Sequence, residues 1–249
     1  MRCAIITVAG ISSRFNRNVP EEQHVLKAIY HEGDPEQTLL FRLLKKCAHA
    51  DRVIVVGGYR YADLEAYCEG LKDTRIRLVY NEHYADLASG YSLSLGVFAA
   101  LEEGATEVLF AEGDLDVDDA SFAQVVRTEG SVLTFNREPV YADRAVVLYR
   151  NAEGKYRYAF NAAHGLLQIE EPFSCLLNSG QIWKFADMDA LREANEVFLQ
   201  NRPDGTNLFL IQAFLDRSPD CTLVGFENWT NCNTREDYRR IAAGRKGEA

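Results

Sequence analysis

Two clusters of residues have the chemistry to handle a polyphosphate and its counter-ion. The first is Val8-Ala9-Gly10-Ile11-Ser12-Ser13-Arg14-Phe15. Small residues and hydroxyls leave backbone N–H groups uncovered, and such groups line anion nests. Arg14 adds a rigid fork of donors for a phosphate, and Lys27, a short loop later, adds a point charge. The run matches neither G-x-G-x-x-G nor G-x-x-x-x-G-K-[ST], so it lacks the residues that define a dinucleotide fingerprint or a P-loop. Taken alone, it fits an ordinary strand-to-helix turn as well as a phosphate cradle. The second cluster is Glu112-Gly113-Asp114-Leu115-Asp116-Val117-Asp118-Asp119. In an extended segment Asp114, Asp116 and Asp118 share one face, and grouped carboxylates suit a hard divalent cation such as Mg²⁺. An EF-hand is excluded, because Asp119 stands at the glycine position and Val125 where the bidentate Glu belongs. Asp118 or Asp119 reads as the cap of a following helix, which leaves Asp114 as the functional carboxylate.

The elements that must position these clusters follow from hydrophobic pattern. Cys3 to Ala9, Val53 to Val56, Ile76 to Tyr80 and Val108 to Phe110 are apolar runs of the kind buried on both faces of a parallel sheet. Leu39, Leu40, Leu43, Leu44 and Cys47 recur at helical spacing, as do Leu93, Val97, Ala100 and Leu101. Strands alternating with helices predict βαβ units and an open α/β sheet, in which ligands sit at the C-terminal strand ends. After residue 130 the rhythm changes. Val132 to Phe135, Ala145 to Tyr149, Tyr156 to Phe160 and Leu176 to Phe185 predict strands without long helices between them, with a hairpin turn at Asn151-Ala152-Glu153-Gly154. Helices are expected at Asp189 to Leu199 and Thr206 to Leu215. A strand at Thr222 to Phe226, a polar loop and a charged terminal helix complete the expectation.

Composition excludes several classes. The 249 residues carry 27 Lys and Arg against 37 Asp and Glu, a formal charge of −10, and 47% are hydrophobic. That is a globular composition rather than a disordered or collagen-like one. An acidic chain lacks the basic face of a general nucleic-acid binder. No apolar stretch is long enough to span a membrane, and the opening apolar stretch is too short for a secretory leader. Cys3, Cys47, Cys68, Cys175, Cys221 and Cys232 are scattered without a C-x-x-C, which predicts reduced thiols and a cytoplasmic setting. The five histidines have no zinc-site spacing.

The ordered set of motifs resembles the nucleotidyltransferases of GT-A-like fold, a family that includes sugar-phosphate nucleotidyltransferases and phosphocholine cytidylyltransferases. The resemblance rests on A-G-x-S-S-R-F at residues 9–15, then Lys27, then Gly113-Asp114-Leu115 after a β-branched strand. It continues through Ser89-Gly90-Tyr91-Ser92-Leu93, Asn178-Ser179-Gly180-Gln181-Ile182 and Asn231-Cys232-Asn233-Thr234-Arg235-Glu236-Asp237-Tyr238. It implies a single α/β domain over residues 1–249 with a Rossmann-like, mostly parallel mixed sheet flanked by helices. Residues 1–130 would form the nucleotide-binding half and 131–249 the acceptor-binding half. It further implies that Ala9, Gly10, Ser12, Ser13 and Arg14 cradle a triphosphate and that Lys27 neutralises transition-state charge, Arg14 and Lys27 being the catalytic pair. Gly90 and Ser92 would approach the base, Asn178 and Gly180 would face the acceptor, and Asp114 and Asn233 would hold Mg²⁺. Whether Asp116 or Asn231 joins that metal stays open. The chain departs from the family pattern at Ile11-Ser12, where many members have glycine, and at Leu26, where Pro usually precedes the lysine. It departs again at Asn233, where Asp is usual, and near His164, where a further lysine is missing.

The reaction implied is attack of an acceptor phosphate or phosphonate oxygen on the α-phosphorus of an NTP, with pyrophosphate leaving. A phosphomonoester with a second pKa of about 6 is already ionised near neutrality, so no general base is needed. Tyr141, Tyr156, Tyr158, Phe160, Trp183 and Trp229, with Glu170 and Glu171, suggest an aromatic and acidic pocket. Such a pocket suits phosphocholine or an aminoalkyl phosph(on)ate, with CTP as donor, although aromatics in strands are more often core. The alternatives are a sugar-1-phosphate nucleotidyltransferase, a GT-A glycosyltransferase using Asp114-Leu115-Asp116 as a D-x-D metal site, and a non-catalytic nucleotide-binding relative.

Overall fold

Alternation along the first strand, β1 (Arg2–Thr7), divides the molecule into two layers. Ala4 and Ile6 face one side of the sheet and Cys3 and Ile5 the other, and all four are buried. In this computed structural model the described residues are 1–141, 145–159 and 167–244. After β1 the chain runs through α1 (Leu39–Lys46), β2 (Arg52–Gly57), α2 (Tyr61–Leu71), β3 (Ile76–Tyr80), α3 (Ser89–Glu102), β4 (Glu107–Glu112) and β5 (Leu115–Val117). It continues with α4 (Asp119–Arg127), β6 (Ser131–Asn136), β7 (Val147–Asn151), β8 (Tyr156–Ala159) and β9 (Phe173–Phe185). The last elements are α5 (Met188–Asn201), α6 (Asn207–Leu215), β10 (Cys221–Phe226), β11 (Trp229–Asn231) and α7 (Arg235–Gly244).

The main sheet has the order β10-β6-β9-β4-β1-β2-β3, with the β7–β8 hairpin attached to β9. β4, β1, β2 and β3 are parallel neighbours, as are β10 and β6, while β9 runs antiparallel between β4 and β6. One face packs with α1, α2 and α4 around Ile6, Leu43, Val55 and Leu109. The other packs with α3, α5 and α6 around Ile5, Val97, Phe110 and Phe214. This is the mixed α/β architecture that the apolar runs and their intervening helices predict.

Three differences have physical causes. β1 ends at Thr7 rather than Ala9, yet the Val8 N–H still bonds the Val56 carbonyl at 2.8 Å, so the chain leaves the ladder only where small residues begin. β5 and β11 were not expected; each has three residues, too few to show a period of two. The strand expected from Ala145 begins at Val147, and the one expected from Leu176 begins at Phe173, with exposed residues at its start. Phe160 and His164 lie outside the described residues. No helix among the described residues is long and apolar enough to cross a membrane.

Candidate active site

The loop after β1 is folded back on its own hydroxyl. Ser12 adopts a left-handed conformation (φ 58°), and its Oγ accepts the Lys27 N–H at 3.2 Å while reaching the Gly10 carbonyl at 3.4 Å. The buried Asn16 side chain clamps both polar groups of the Val25 backbone, at 2.9 and 3.1 Å. These bonds bring Lys27 back beside β1 and open a cavity of about 220 Å³. Ala9, Gly10, Ser12 and Lys27 form one wall, and Tyr84, Leu87, Ser89 and Ser92 form another.

Asp114 lies at the bend after β4, on the edge where α/β sheets bind ligands. The bend needs Gly113: a Cβ there would lie 2.3 Å from Val8 Cγ1 and 2.8 Å from the Thr7 carbonyl oxygen. Lys27 Nζ donates to Asp114 Oδ2 at 2.8 Å, and the two side chains are 16% and 22% exposed. β11 pairs antiparallel with β5, Asn231 opposite Leu115, and the Cys232 N–H then bonds the Asp114 carbonyl at 2.8 Å. This short ladder draws the late polar motif to the aspartate. Three buried oxygens here have no hydrogen-bond partner: Asp114 Oδ1, Asn231 Oδ1 and Asn233 Oδ1. Buried acceptors are normally paired with protein, water or an ion, so these three oxygens mark where a water or a cation would bond. A carboxylate with neutral amide oxygens suits a small hard cation that takes its remaining oxygens from a substrate phosphate.

A second cavity, of about 430 Å³, opens on the other side of Asp114. Arg14, Glu138, Tyr141, Asn178, Gln181 and Trp229 line it, together with Glu112, Asp114, Asn231 and Asn233. Glu112 and Asp114 line both cavities, so the two are adjacent across these carboxylates. A bulge in β9 shapes this wall. Leu133 is opposite Trp183, but Phe135 is opposite Ser179, so β9 carries the surplus residues. Gln181 is left-handed (φ 55°) and its Nε2 points to Glu112 Oε2 at 3.4 Å. Asn207 Nδ2 donates to Glu112 Oε1 at 2.6 Å. Burial, reinforced by the charge of Asp114, pushes the Glu112 carboxyl up to about 7.

Most of the residues expected from sequence converge here. Ala9, Gly10, Ser12, Lys27, Ser92 and Asp114 line the first cavity, and Arg14, Asn178, Asn233 and again Asp114 the second. Several expected positions line neither cavity. Ser13 is exposed and lies outside both walls. Gly90 is a packing residue, since a Cβ would come within 2.5 Å of the Gly205 carbonyl oxygen and the Phe198 ring. Gly180 is likewise pressed against Thr134 and Phe226, and it serves the second cavity only by accepting the Trp229 Nε1–H at 2.9 Å. Glu170 is exposed and Glu171 bonds Tyr149 and Asn151; the carboxylate beside the aromatic wall is Glu138. Among the aromatics, Tyr158 and Trp183 are core, bonded to each other at 2.7 Å. Of the acidic run, Asp118 caps α4 through the Ser121 N–H, Asp119 pairs with Lys46, and Asp116 pairs with the buried Arg42 at 3.4 Å. Sequence reasoning assigned no role to Glu112 or Gln181. The small-polar run Asn178-Ser179-Gly180 was the available sign of a bulge.

A family model described as a domain of unknown function, DUF6564, matches residues 23–245. The chain belongs to this family. Solved structures similar to the DUF6564 chain include an inositol-1-phosphate CTP transferase from T. maritima (TM-score 0.68, 14% identity, 97% of this chain and 95% of that one). A putative glucose-1-phosphate thymidylyltransferase from Bacillus anthracis matches with TM-score 0.70 and 15% identity over 98% and 94% of the two chains. A CTP:phosphocholine cytidylyltransferase from Streptococcus pneumoniae matches with TM-score 0.62 and 16% identity over 96% and 97%. The DUF6564 chain therefore has the nucleotidyltransferase fold. Among curated sequences it is 24% identical over 186 residues to a tyrosine--tRNA ligase from Orientia tsutsugamushi, covering 71% of this chain and 44% of that protein. The chain thus spans less than half the length of that relative.

Proposed function

We propose that the protein is a Mg²⁺-dependent nucleotidyltransferase that joins an NTP, CTP in our reading, to a small phosphate or phosphonate acceptor and releases pyrophosphate. The observation that carries this reading is the Lys27–Asp114 pair at the boundary of two adjoining cavities, with orphan oxygens of Asp114 and Asn233 beside it. The loop side fits the triphosphate: Gly10 stands open to solvent, with nothing within 4 Å of where its Cβ would lie, so phosphate oxygens can approach the backbone. Arg14 reaches in from the second cavity, where an acceptor anion would meet the α-phosphate.

The orphan oxygens of Asp114 and Asn233 are the groups that would hold Mg²⁺, with Asn231 next to them. When bound, the ion supplies electrostatic neutralisation of the phosphates. The chain's own residues align two anions and offset their repulsion: Lys27 on the loop side, Arg14 on the acceptor side. The Asp114 carboxylate keeps the Lys27 ammonium aimed at their meeting point. With the acceptor already ionised, the site needs no base.

The wall of the second cavity favours a cationic acceptor. Tyr141 and Trp229 bring aromatic rings to the lining and Glu138 a charge, a combination suited to phosphocholine or aminoethylphosphonate. Asp116 speaks against the D-x-D glycosyltransferase reading, because Arg42 holds it and it lines neither cavity. A pyrophosphate-release screen of the common NTPs with Mg²⁺ against phosphocholine, aminoethylphosphonate and sugar-1-phosphates tests the proposal. Release with an aminoalkyl acceptor is expected. Release only with sugar phosphates would reassign the acceptor, and Mg²⁺-dependent nucleotide binding without release would make the protein a non-catalytic relative.

A further inference from the structure

A third cavity, larger than either of these at about 560 Å³, lies between α1 and α4. Its floor is apolar, formed by Phe122, Ala123 and Val126 on α4. Its rim is cationic, with Arg42, Lys45, Lys46 and Arg127 against the carboxylates of Asp34, Glu36 and Asp119. Three of these cations have carboxylate partners, Arg42 with Asp116, Lys45 with Glu36 and Lys46 with Asp119. Their present partners differ in strength. Lys45 meets Glu36 at 3.6 Å with both side chains about two-thirds exposed, a pairing worth little in water. Arg127 is exposed and its guanidinium has no ion-pair partner among the described residues. Arg42 is different: its side chain is 7% exposed, fixed between Gln37 and Asp116, with the cavity on its open side. An apolar floor beneath exposed Lys45 and Arg127 and buried Arg42 matches an amphipathic anion, which buries its body and places its charge on guanidinium and ammonium groups.

We propose that this cavity is a binding site for a small organic anion: an apolar or aromatic body carrying a terminal sulfonate, phosphate or carboxylate. The body lies on Phe122, Ala123 and Val126, and the anion is held by Lys45 and Arg127 at the rim with Arg42 behind them. Arg42 also bonds Asp116, in the strand paired with β11, so the site adjoins the ladder that brings Asn233 to Asp114.

The test uses the intact chain and 1-anilinonaphthalene-8-sulfonate as the probe, followed by its fluorescence and by hydrogen exchange. One dye is expected per chain, with exchange slowed in peptides covering residues 39–49 and 119–127. The double variant Lys45→Gln/Arg127→Gln, confined to exposed rim positions, is expected to weaken binding at least tenfold. Ala123→Trp, which fills the floor, is expected to do the same by a route independent of charge. Absence of dye binding, parental affinity in either variant, or protection confined to residues 7–12 and 84–92 would each overturn the proposal.

Discussion

Replacing Lys27 with Met keeps a long stem and removes the ammonium that sits 2.8 Å from Asp114 Oδ2. Asp114 Oδ1 is already without a partner, so the substitution leaves both oxygens of a mostly buried carboxylate unpaired. A buried polar group stripped of its partner costs about 1–3 kcal/mol, and a fully buried charge costs more. Water reaching a side chain that is 22% exposed holds the effect here to about 1–2 kcal/mol. In a chain of this length that lowers Tm by about 2–8 °C and leaves the folded state dominant at assay temperature. The kinetic effect should be larger. Removing one donor aimed at developing charge costs about 10²–10³ in kcat, so pyrophosphate release should fall by that factor while the far-UV spectrum is unchanged. A second readout is independent of turnover. With Oδ2 vacated, Mg²⁺ should raise Tm more in Lys27→Met than in the parent. Turnover within threefold of the parent, at saturating substrates, would remove Lys27 from the mechanism whatever happened to stability.

Other outcomes follow from particular contacts. The Glu112 carboxyl is raised to about 7 by burial and by Asp114, so between its unfolded value near 4.5 and 7 the folded state holds the proton more tightly and stability falls as pH rises. Glu112→Gln in EDTA should therefore flatten the decline in Tm between pH 5 and pH 8; an unchanged slope would mean that Glu112 is not the group responsible. Gly90→Ala should destabilise by about 1–3 kcal/mol, because the new methyl meets the Gly205 carbonyl and Phe198. A normal melt with weakened nucleotide binding would instead return Gly90 to the base pocket. Asp118→Ala removes acceptors for the Ser121 N–H at 2.7 Å and the Asn228 N–H at 3.1 Å. The lost cap should cost about 1–2 kcal/mol in a denaturant titration.

β1, β2 and β4 were legible because each is buried on both faces, and an unbroken apolar run has few other homes. β3, the half-buried edge strand, was legible from the apolar residues Ile76, Leu78, Val79 and Tyr80 alone. The convergence of Lys27 and Asp114 was not legible from spacing, since 87 residues separate them; it came from the order of motifs. The β9 bulge was hidden because it depends on what lies across the strand. Gly180 gives way to Phe226, and Thr134 Oγ1 fills the gap by bonding both the N–H and the carbonyl of Ile182 at 3.2 and 2.6 Å. Glu112 stood only as the first residue of the acidic run, and its place became visible once Gln181 and Asn207 lay against it. The acidic residue of the aromatic wall was misplaced for a related reason. Nearness in sequence favoured Glu170 and Glu171, whereas the wall takes Glu138 from the segment following β6.

The thirteen residues of β9 knit together what the chain order keeps apart. Ile182 to Phe185 complete the hydrogen bonding of β4, and residues 173–178 carry β7. A polypeptide stopped at residue 130 would leave Val108 to Ala111 as a bare apolar margin, a template for pairing with other chains. The protein is therefore expected to resist dissection: expressing its two halves separately should yield aggregates, and mixing them before folding should recover soluble material.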